Sequence, residues 1–487
     1  MVLNGLTIKQ ATDGLKKKDF SCVELTQACL DQIEKTDKDI NSFITVTKQP
    51  ALALAEKLDK QGEFTSPLAG IPFAAKDIFC TAGVKTTVGS KILENYIPPF
   101  SATVIEKLDK QNSIMLGKTN MDEFACGSST ETSYFGSTKN PWDIQRVPGG
   151  SSGGSVAAVS ADQCIYSLGT DTGGSIRQPA SLCGVVGLKP TYGRVSRYGV
   201  VAMASSLDQV GPITKSVEDA AIVLGQISGL DKKDSTTVDA SIPDYAAGLS
   251  KDIKGLKIGI PKEYFIKGMD PGVEDRVRVA ISKLEELGAK IIEVSLPLSK
   301  YGLAVYYIIM PSELSTNLSR YDGIKYGFSA GLDNLLENYL ETRAKGFGPE
   351  IRRRIMLGTY SLSSGYYNAY YLQAAKVRTL IKQEFQAVFS QVDCLVTPSS
   401  PTVAFKLGEK TADPLQMYLA DIFTVPINIA GLPAISIPCG FSSAKDGSIE
   451  LPVGLQIIGR QFDEQTILKA AYNYEQATQW YKFKPLI

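Results

Sequence analysis

Two clusters of serine and glycine lie close together in a chain that contains no histidine. The first cluster is Gly149-Gly-Ser-Ser-Gly-Gly-Ser155, and the second is Asp171-Thr-Gly-Gly-Ser-Ile-Arg-Gln-Pro179. Glycine lets backbone N–H groups approach a developing oxyanion, so serines among glycines indicate nucleophilic catalysis. A serine nucleophile needs a base, and the absence of histidine excludes a Ser-His-Asp triad. A serine enzyme with this sequence must therefore use a lysine or a carboxylate as its base.

Lys76 is the candidate base, because it follows the apolar run Ile71-Pro-Phe-Ala-Ala75 and precedes Asp77. A lysine at a strand end can simply extend its ammonium group into solvent. Burial would instead lower its pKa and leave a neutral amine that accepts a proton. On a strand, Asp77 would point to the opposite face and need not stabilise the ammonium form. The presence of the serine clusters favours the base.

Ser175 is the candidate nucleophile, because it follows two glycines whose amides can bind an oxyanion. The same residues are also typical of a tight turn with a capping serine. Ser151 lies in the first cluster, and the two serines could form a relay with Lys76 in which one hydroxyl passes on the proton of the other. Spacing alone does not distinguish such a relay from two unrelated turns.

The composition is that of an ordinary globular protein, with 44% hydrophobic and 21% charged residues among 487. Lys+Arg and Asp+Glu both number 51, which argues against a strongly basic nucleic-acid surface. The 8 cysteines form no Cys-x-x-Cys pair, and no histidine is available as a zinc ligand. We therefore predict a cytoplasmic protein without a metal. The uncharged run 422–444 is broken by prolines and glycines, which favours buried strands and turns over a membrane span.

The pattern of apolar residues predicts one large α/β domain over 1–487. A capping box at Ser21-Cys-Val-Glu24 lies inside a predicted helical segment, and the core motifs occupy about 68–215. A helical section that is rich in tyrosine is inserted late, over about 302–390. The predicted elements are helix over 7–36, strand over 68–80, helix then strand then helix over 101–125, a βαβ unit over 256–295, and strands at 394–397 and 434–438.

These motifs together resemble the amidase signature family. The resemblance continues through Cys183-Gly-Val-Val-Gly-Leu-Lys-Pro-Thr191 and Ser205-Ser-Leu-Asp-Gln-Val-Gly-Pro212. It implies an α/β/α domain whose central mixed β-sheet is covered by helices, and a Ser-Ser-Lys triad. In that triad Ser175 is the nucleophile, Ser151 is the bridging serine with a cis peptide, and Lys76 is the general base. The implied oxyanion hole consists of the amides of Thr172, Gly173, Gly174 and Ser175.

Within this family, the helical section resembles the glutaminase subunits of tRNA-dependent amidotransferases. The segments that carry the resemblance are Ser312–Gly327, Arg353–Tyr367 and Met417–Asn428. It implies hydrolysis of glutamine to glutamate and ammonia through an acyl-enzyme. The ammonia would serve the conversion of mischarged Glu-tRNA(Gln) to Gln-tRNA(Gln). The implied partners are the B and C subunits of a heterotrimer, with ATP and Mg bound by a partner, no cofactor in this chain and no membrane.

A glutamine site needs a cation for the α-carboxylate and an anion for the α-ammonium group. Arg354 and Asp421 match the positions that the family uses, and Tyr306 is expected to line the same site. A stand-alone amidase that acts on another amide with the same triad is the alternative function. A catalytically inactive binding scaffold is a third hypothesis, against which the intact Lys76, Ser151 and Ser175 argue.

Overall fold

The structure is a computed structural model that describes residues 2–444, 446–447 and 449–487. Within this part of the chain, strands form one mixed sheet, as the sequence predicts. In chain order the strands are β1 (Phe43–Val46), β2 (Pro72–Lys76), β3 (Ile114–Thr119), β4 (Tyr166–Thr170), β5 (Val186–Lys189), β6 (Val210–Thr214), β7 (Lys257–Pro261), β8 (Lys290–Val294), β9 (Cys394–Pro398), β10 (Ala434–Ser443) and β11 (Glu450–Gly459).

The 11 described strands lie in the order β1-β3-β2-β4-β6-β5-β10-β11-β9-β7-β8. Strand β2 runs parallel to β3 and β4, and β7 runs parallel to β8 and β9, while the other neighbours are antiparallel. Every residue of β2, β4, β5, β6 and β9 is buried, because helices cover both faces of the sheet. The predicted strand over 68–80 is shorter than expected, since turns flank Pro72–Lys76 on both sides.

Helices cover the sheet and build the late insertion. They are α1 (Ile8–Lys17), α2 (Cys22–Ile40), α3 (Lys48–Gln61), α4 (Thr103–Lys110), α5 (Gly153–Ser160), α6 (Arg177–Cys183), α7 (Val217–Ile227), α8 (Pro271–Glu286), α9 (Gly302–Asn317), α10 (Leu335–Gly346), α11 (Pro349–Leu362), α12 (Tyr371–Phe389), α13 (Pro414–Tyr418), α14 (Val425–Ala430) and α15 (Glu464–Thr478). Short 3-10 helices lie at Leu3–Gly5, Lys91–Leu93, Glu123–Ala125, Lys262–Tyr264, Pro297–Tyr301, Leu318–Arg320, Leu419–Asp421 and Trp480–Lys482.

The predicted helical segment 7–36 is two helices. Lys18 adopts the left-handed conformation (φ 61°) and ends α1. Ser21 then begins α2: its side chain accepts from the Glu24 amide, and the Glu24 side chain accepts from the Ser21 amide. The capping box in the sequence therefore marked a helix start inside a segment that looks continuous by its apolar spacing.

The other predicted elements agree with the structure to within a few residues, except the helix expected near residue 125, which is only the short 3-10 helix 123–125. The unit β7-α8-β8 has the predicted order, and Gly288 (φ 95°) follows the last turn of α8. The late insertion contains α9 to α12. The uncharged run 422–444 contains α14 and β10, and no described helix is long and apolar enough to cross a membrane.

The fold brings the chemically active segments to one edge of the sheet. Lys76 and Thr170 are the last residues of the neighbouring parallel strands β2 and β4, and the carboxyl ends of parallel strands are where ligands bind in α/β sheets. The second serine cluster follows β4 directly, and the first runs into the first turn of α5. Gly154 allows α5 to pack closely, since a Cβ there would lie 2.5 Å from the backbone oxygens of Asn120 and Ser42.

Candidate active site

The amine of Lys76 lies among three hydroxyl groups. Its Nζ is 2.7 Å from Ser151 Oγ, 2.9 Å from Ser152 Oγ and 2.9 Å from Thr170 Oγ1. The Ser152 hydroxyl donates its own hydrogen to the backbone oxygen of Thr170 (3.0 Å). Ser152 can therefore only accept from Lys76, whereas the Ser151 and Thr170 hydroxyls are each able to donate to the lone pair of a neutral lysine.

Burial decides the protonation of this lysine. Lys76 is fully buried, and desolvation lowers its pKa to about 7, although the carboxylates of Asp122, Asp171 and Asp208 act in the opposite direction. Asp77 lies in the turn after β2 rather than on the strand, and its carboxylate pairs with another lysine. That lysine is Lys118, and the buried ion pair has Nζ and Oδ1 3.0 Å apart. Lys76 therefore has the pKa that a general base needs near neutral pH.

Ser151 and Ser175 lie on adjoining segments. The peptide bond between Gly150 and Ser151 is cis, and the next amide, of Ser152, donates to the backbone oxygen of Ser175 (3.2 Å). Ser151 is fully buried, whereas Ser175 is 8% exposed and lines a cavity. Among the residues that the structure describes, no hydrogen bond joins the two hydroxyls. The structure therefore brings the three predicted triad residues together, and the contact of the relay that it lacks is the hydrogen bond between Ser151 and Ser175.

The loop before Ser175 presents unused amides. Within the described part of the chain, the N–H groups of Thr172, Gly173, Gly174 and Ser175 donate to no protein acceptor. Their carbonyls and side chains are held elsewhere: Thr172 Oγ1 donates to Asp208 (2.9 Å), and Thr424 Oγ1 donates to the Gly173 oxygen (2.7 Å). Free amides on a loop that is fixed from outside suit the binding of an oxyanion.

A buried ion pair between Arg177 and Asp171 joins the residues on either side of this loop. Arg177 Nε and Nη2 lie 2.9 and 3.0 Å from the two carboxylate oxygens of Asp171, and both side chains are fully buried. Asn428 and Gln456 accept from the same guanidinium group. Gly174 adopts φ 148°, and a Cβ there would lie 2.2 Å from Thr424 Oγ1. The loop therefore depends on glycine at this position for both conformation and space.

Ser175 opens into a cavity of about 320 Å³ between the sheet edge and the helical section. The three residues that the sequence assigns to substrate binding, Tyr306, Arg354 and Asp421, line the same cavity. Tyr306 packs on the loop 172–175, called the serine loop below, since a Cβ on Gly173 would lie 2.9 Å from the Tyr306 hydroxyl oxygen. A cavity of this size suits a small metabolite.

Arg354 supplies a buried cation to this cavity. It lies on α11, its side chain is 3% exposed, and its guanidinium group stacks on the rings of Tyr307 and Tyr418, 4.5 and 4.2 Å from their centres. Its Nε pairs with Glu350 Oε1 at 2.6 Å, and Tyr418 donates to the same oxygen. Arg354 Nη1 has no hydrogen-bond partner in the described residues, so its N–H groups remain for a ligand.

Asp421 supplies the opposite charge. Its Oδ2 accepts from Ser128 Oγ (2.5 Å), whereas its Oδ1 is buried without a partner among the described residues. A Cβ on Gly174 would lie 3.2 Å from that Oδ1, which places the free oxygen beside the serine loop. Burial raises the pKa of Asp421 to about 7. A cationic ligand group at Oδ1 would stabilise the carboxylate.

Several residues of this cavity, chiefly Glu350, Ser128, Tyr307 and Tyr418, are not predicted from the sequence. One signal was available for Glu350, because it precedes Arg354 by one helical turn, and such pairs of opposite charge commonly interact. Ser128 and the two tyrosines carry no pattern that distinguishes them from other polar or aromatic residues nearby. Their contacts with Asp421 and Arg354 arise only from the tertiary fold.

The sequence pattern of the Amidase family matches residues 24–468. The chain is 56% identical over 489 residues to the A subunit of glutamyl-tRNA(Gln) amidotransferase from Carboxydothermus hydrogenoformans, with 100% of both chains covered. It is 58% identical over 484 residues to the protein of that name from Thermoanaerobacter pseudethanolicus, covering 99% and 98% of the two chains. The crystal structure of the same protein from Thermotoga maritima superimposes with a TM-score of 0.80 and 45% identity, covering 96% and 94%. The chain belongs to the amidase family.

Proposed function

We propose that this chain is the glutaminase subunit of a glutamyl-tRNA(Gln) amidotransferase, which hydrolyses glutamine and supplies the ammonia to a partner. The observation that carries the proposal is the pair of unsatisfied buried atoms, Arg354 Nη1 and Asp421 Oδ1, in the cavity of Ser175. A buried donor and a buried acceptor of opposite charge complement the α-carboxylate and α-ammonium groups of an amino acid. An uncharged amide would leave both of them unpaired.

In the first half of the reaction, Ser175 Oγ attacks the side-chain amide carbon of glutamine. Its proton passes through the Ser151 hydroxyl to the neutral amine of Lys76, which then protonates the leaving nitrogen. The C–N bond breaks, ammonia leaves, and a γ-glutamyl ester remains on Ser175. The amides of Thr172, Gly173, Gly174 and Ser175 would bind the negative oxygen of the tetrahedral intermediate.

In the second half, a water molecule attacks the ester carbon and gives its proton to the relay. The C–O bond to Ser175 breaks, glutamate leaves, and Ser175 recovers its proton from the relay. The same amides bind the oxyanion again. Lys76 ends each cycle as a neutral amine. The reaction therefore consumes one water molecule and needs no external acid or base.

The ammonia would be used by the partners in the complex. In the proposed heterotrimer, the B subunit activates mischarged Glu-tRNA(Gln) with ATP and Mg and converts it to Gln-tRNA(Gln), and the small C subunit joins the two larger ones. The chain itself would need no cofactor. All cysteines of the chain are free and buried, which fits the reducing cytoplasm where such a complex would act.

Purification of the chain from its native cell tests this function against the alternative of a stand-alone amidase. We expect two further subunits to co-purify and the complex to convert Glu-tRNA(Gln) with glutamine and ATP. We also expect glutamine to be hydrolysed far faster than butyramide, which is glutamine without its two α-substituents. A chain that purifies alone and prefers uncharged amides would support the stand-alone amidase instead.

The pH profile of kcat/KM provides a prediction that separates the base from the binding site. Neutral Lys76 is the active form and its pKa is about 7, so activity should fall as pH drops below about 7 and the amine becomes protonated. Burial also raises the pKa of Asp421 to about 7, and its carboxylate is needed only for an α-ammonium group. The acidic limb should therefore be steeper than first order for glutamine and first order for butyramide.

This profile is measured with both substrates on the same preparation from about pH 5 to 9. A limb that extends flat to the range where exposed carboxylates titrate would exclude Lys76 as the base. Equal slopes for the two substrates would remove Asp421 from the recognition of the α-ammonium group.

A further inference from the structure

The carboxylate of Glu123 connects the part of the molecule that holds the catalytic serines to the helical section. It is 3% exposed, and it lines the cavity. Its Oε2 accepts from the amide of Gly348 at 2.9 Å and its Oε1 accepts from the same amide at 3.2 Å. The Ser90 hydroxyl also donates to Oε1 (2.5 Å). No sequence pattern assigns Glu123 a role, and the Ser-Ser-Lys chemistry does not use it.

Gly348 is the residue immediately before α11, the helix that carries Arg354. The amides at the start of a helix have no partner within the helix and carry partial positive charge. The Glu123 carboxyl group at this point therefore attaches the amino end of α11 to the core, through the shared hydrogen bond from the Gly348 amide to its two oxygens. Arg354 lies less than two turns further along the same helix.

The junction around this bond is tightly packed. The rings of Phe124 and Phe347 are 5.8 Å apart, so the residues that follow Glu123 and precede Gly348 also touch. A Cβ on Gly346 would lie 2.4 Å from Ile92 Cδ1, and one on Gly348 would lie 2.4 Å from Glu123 Oε2. A change at this junction is therefore transmitted to the start of α11, because the packing leaves little space to absorb it.

The neighbouring acidic residue, Asp122, makes its contacts on the side of the site where the catalytic serines lie. Its Oδ2 accepts from the Thr130 amide (2.9 Å), its Oδ1 accepts from Thr132 Oγ1 (2.8 Å), and its amide donates to the Ser151 oxygen (3.3 Å). Two consecutive acidic residues thus attach to different parts of the molecule. The backbone of Asp122 is bound to the segment of the catalytic serines, and the carboxylate of Glu123 is bound to the segment of the substrate-binding arginine.

We propose that Glu123 is a positioning residue that sets the affinity for glutamine, by holding the amino end of α11 so that Arg354 faces the cavity. This inference rests on the proposed function, since it assigns a determinant of glutamine recognition. Loss of the Glu123 bond displaces the α-carboxylate site and leaves Lys76, Ser151 and Ser175 in place. The expected signature is a change in KM for glutamine without a change in the chemistry of an uncharged amide.

Two variants test this from opposite sides of the bond, in the complex as purified. Glu123→Gln removes the charge and one acceptor at nearly constant volume. Gly348→Ala leaves Glu123 intact and displaces it by contact, and its backbone (φ −68°, ψ 168°) suits alanine without strain. We expect each variant to raise KM for glutamine about tenfold, with kcat reduced no more than about twofold. We expect kcat/KM for butyramide to stay within about twofold of wild type.

Glu475→Gln is the matched control. Glu475 is also a buried glutamate that accepts from the first amide of a helix, Val217 of α7 at 2.8 Å, but it lies outside the cavity. This variant should leave KM for glutamine unchanged. It therefore shows what the replacement of a buried helix-end glutamate does when no residue of the cavity is changed.

Selective loss of glutamine affinity in both cavity variants, with none in Glu475→Gln, would support the positioning role. Equal losses on glutamine and butyramide, or an unchanged KM in both variants, would overturn it. Should wild type hydrolyse butyramide but not glutamine, the proposed function itself fails and this inference fails with it. Because Gly348→Ala keeps the carboxylate, the test remains decisive even if Glu123→Gln does not fold.

Discussion

Ser175→Ala should abolish the acyl-enzyme and lower glutamine turnover by about 10⁴- to 10⁶-fold, as expected when the nucleophile of a covalent mechanism is removed. Lys76→Ala and Ser151→Ala should each lose several orders of magnitude, because Lys76 Nζ and Ser151 Oγ are 2.7 Å apart and act in one relay. Combining these substitutions should add little to any single one, since members of one relay act as a unit. The measurements are single-turnover acylation and steady-state release of ammonia.

Ser155→Ala provides the control for these variants. Ser155 belongs to the same serine–glycine cluster and is equally buried, but its hydroxyl contacts Thr119 Oγ1 and the Leu168 oxygen rather than Lys76. It should affect stability and leave the chemical step nearly intact. Substantial turnover in the Ser175 variant would contradict its assignment as nucleophile. A Ser155 variant as inactive as the Ser151 variant would show that the cluster is sensitive to packing alone.

Arg354→Ala and Asp421→Ala should each raise KM for glutamine by about 30-fold or more. Removal of one partner from a desolvated charge pair costs about 2–5 kcal/mol, in part because the other charge is left unpaired. Arg354 also stacks on Tyr307 and Tyr418, so its loss removes packing as well as charge. Hydrolysis of butyramide should be much less affected, because neither residue contacts Lys76 or the two serines of the relay.

The comparison requires kcat/KM for both substrates in each variant. Lys345→Ala is the control, because Lys345 is a cation of the same helical section but is exposed and does not line the cavity. It should behave as wild type on both substrates. Equal losses on glutamine and butyramide in the Arg354 or Asp421 variant would show that these residues support the fold or the triad, and the glutamine site would have to be placed elsewhere.

Local patterns in the chain were sufficient for much of the fold and of the reaction class. A missing histidine, glycines around two serines and a lysine after an apolar run limit the base to lysine or carboxylate without any coordinates. The sequence also predicts the capping box at Ser21 and the order β7-α8-β8, because helix ends and apolar periodicity depend on residues that are neighbours in sequence. Local patterns did not predict the length of the strand at 68–80. It ends at Lys76 because the chain turns at the next residue.

Only the tertiary structure decided the protonation of the base and the charge pairs of the cavity. Lys76 has a pKa of about 7 because strands and helices from distant parts of the sequence exclude water from it. Arg354 and Asp421 reach one cavity because the helical section folds back on the sheet edge, and the contacts of Glu350, Ser128 and Glu123 follow from that packing. The sequence determined which groups can react. Burial is a sum over contacts between remote residues, so only the fold determined which of them are desolvated, paired or left free for a ligand.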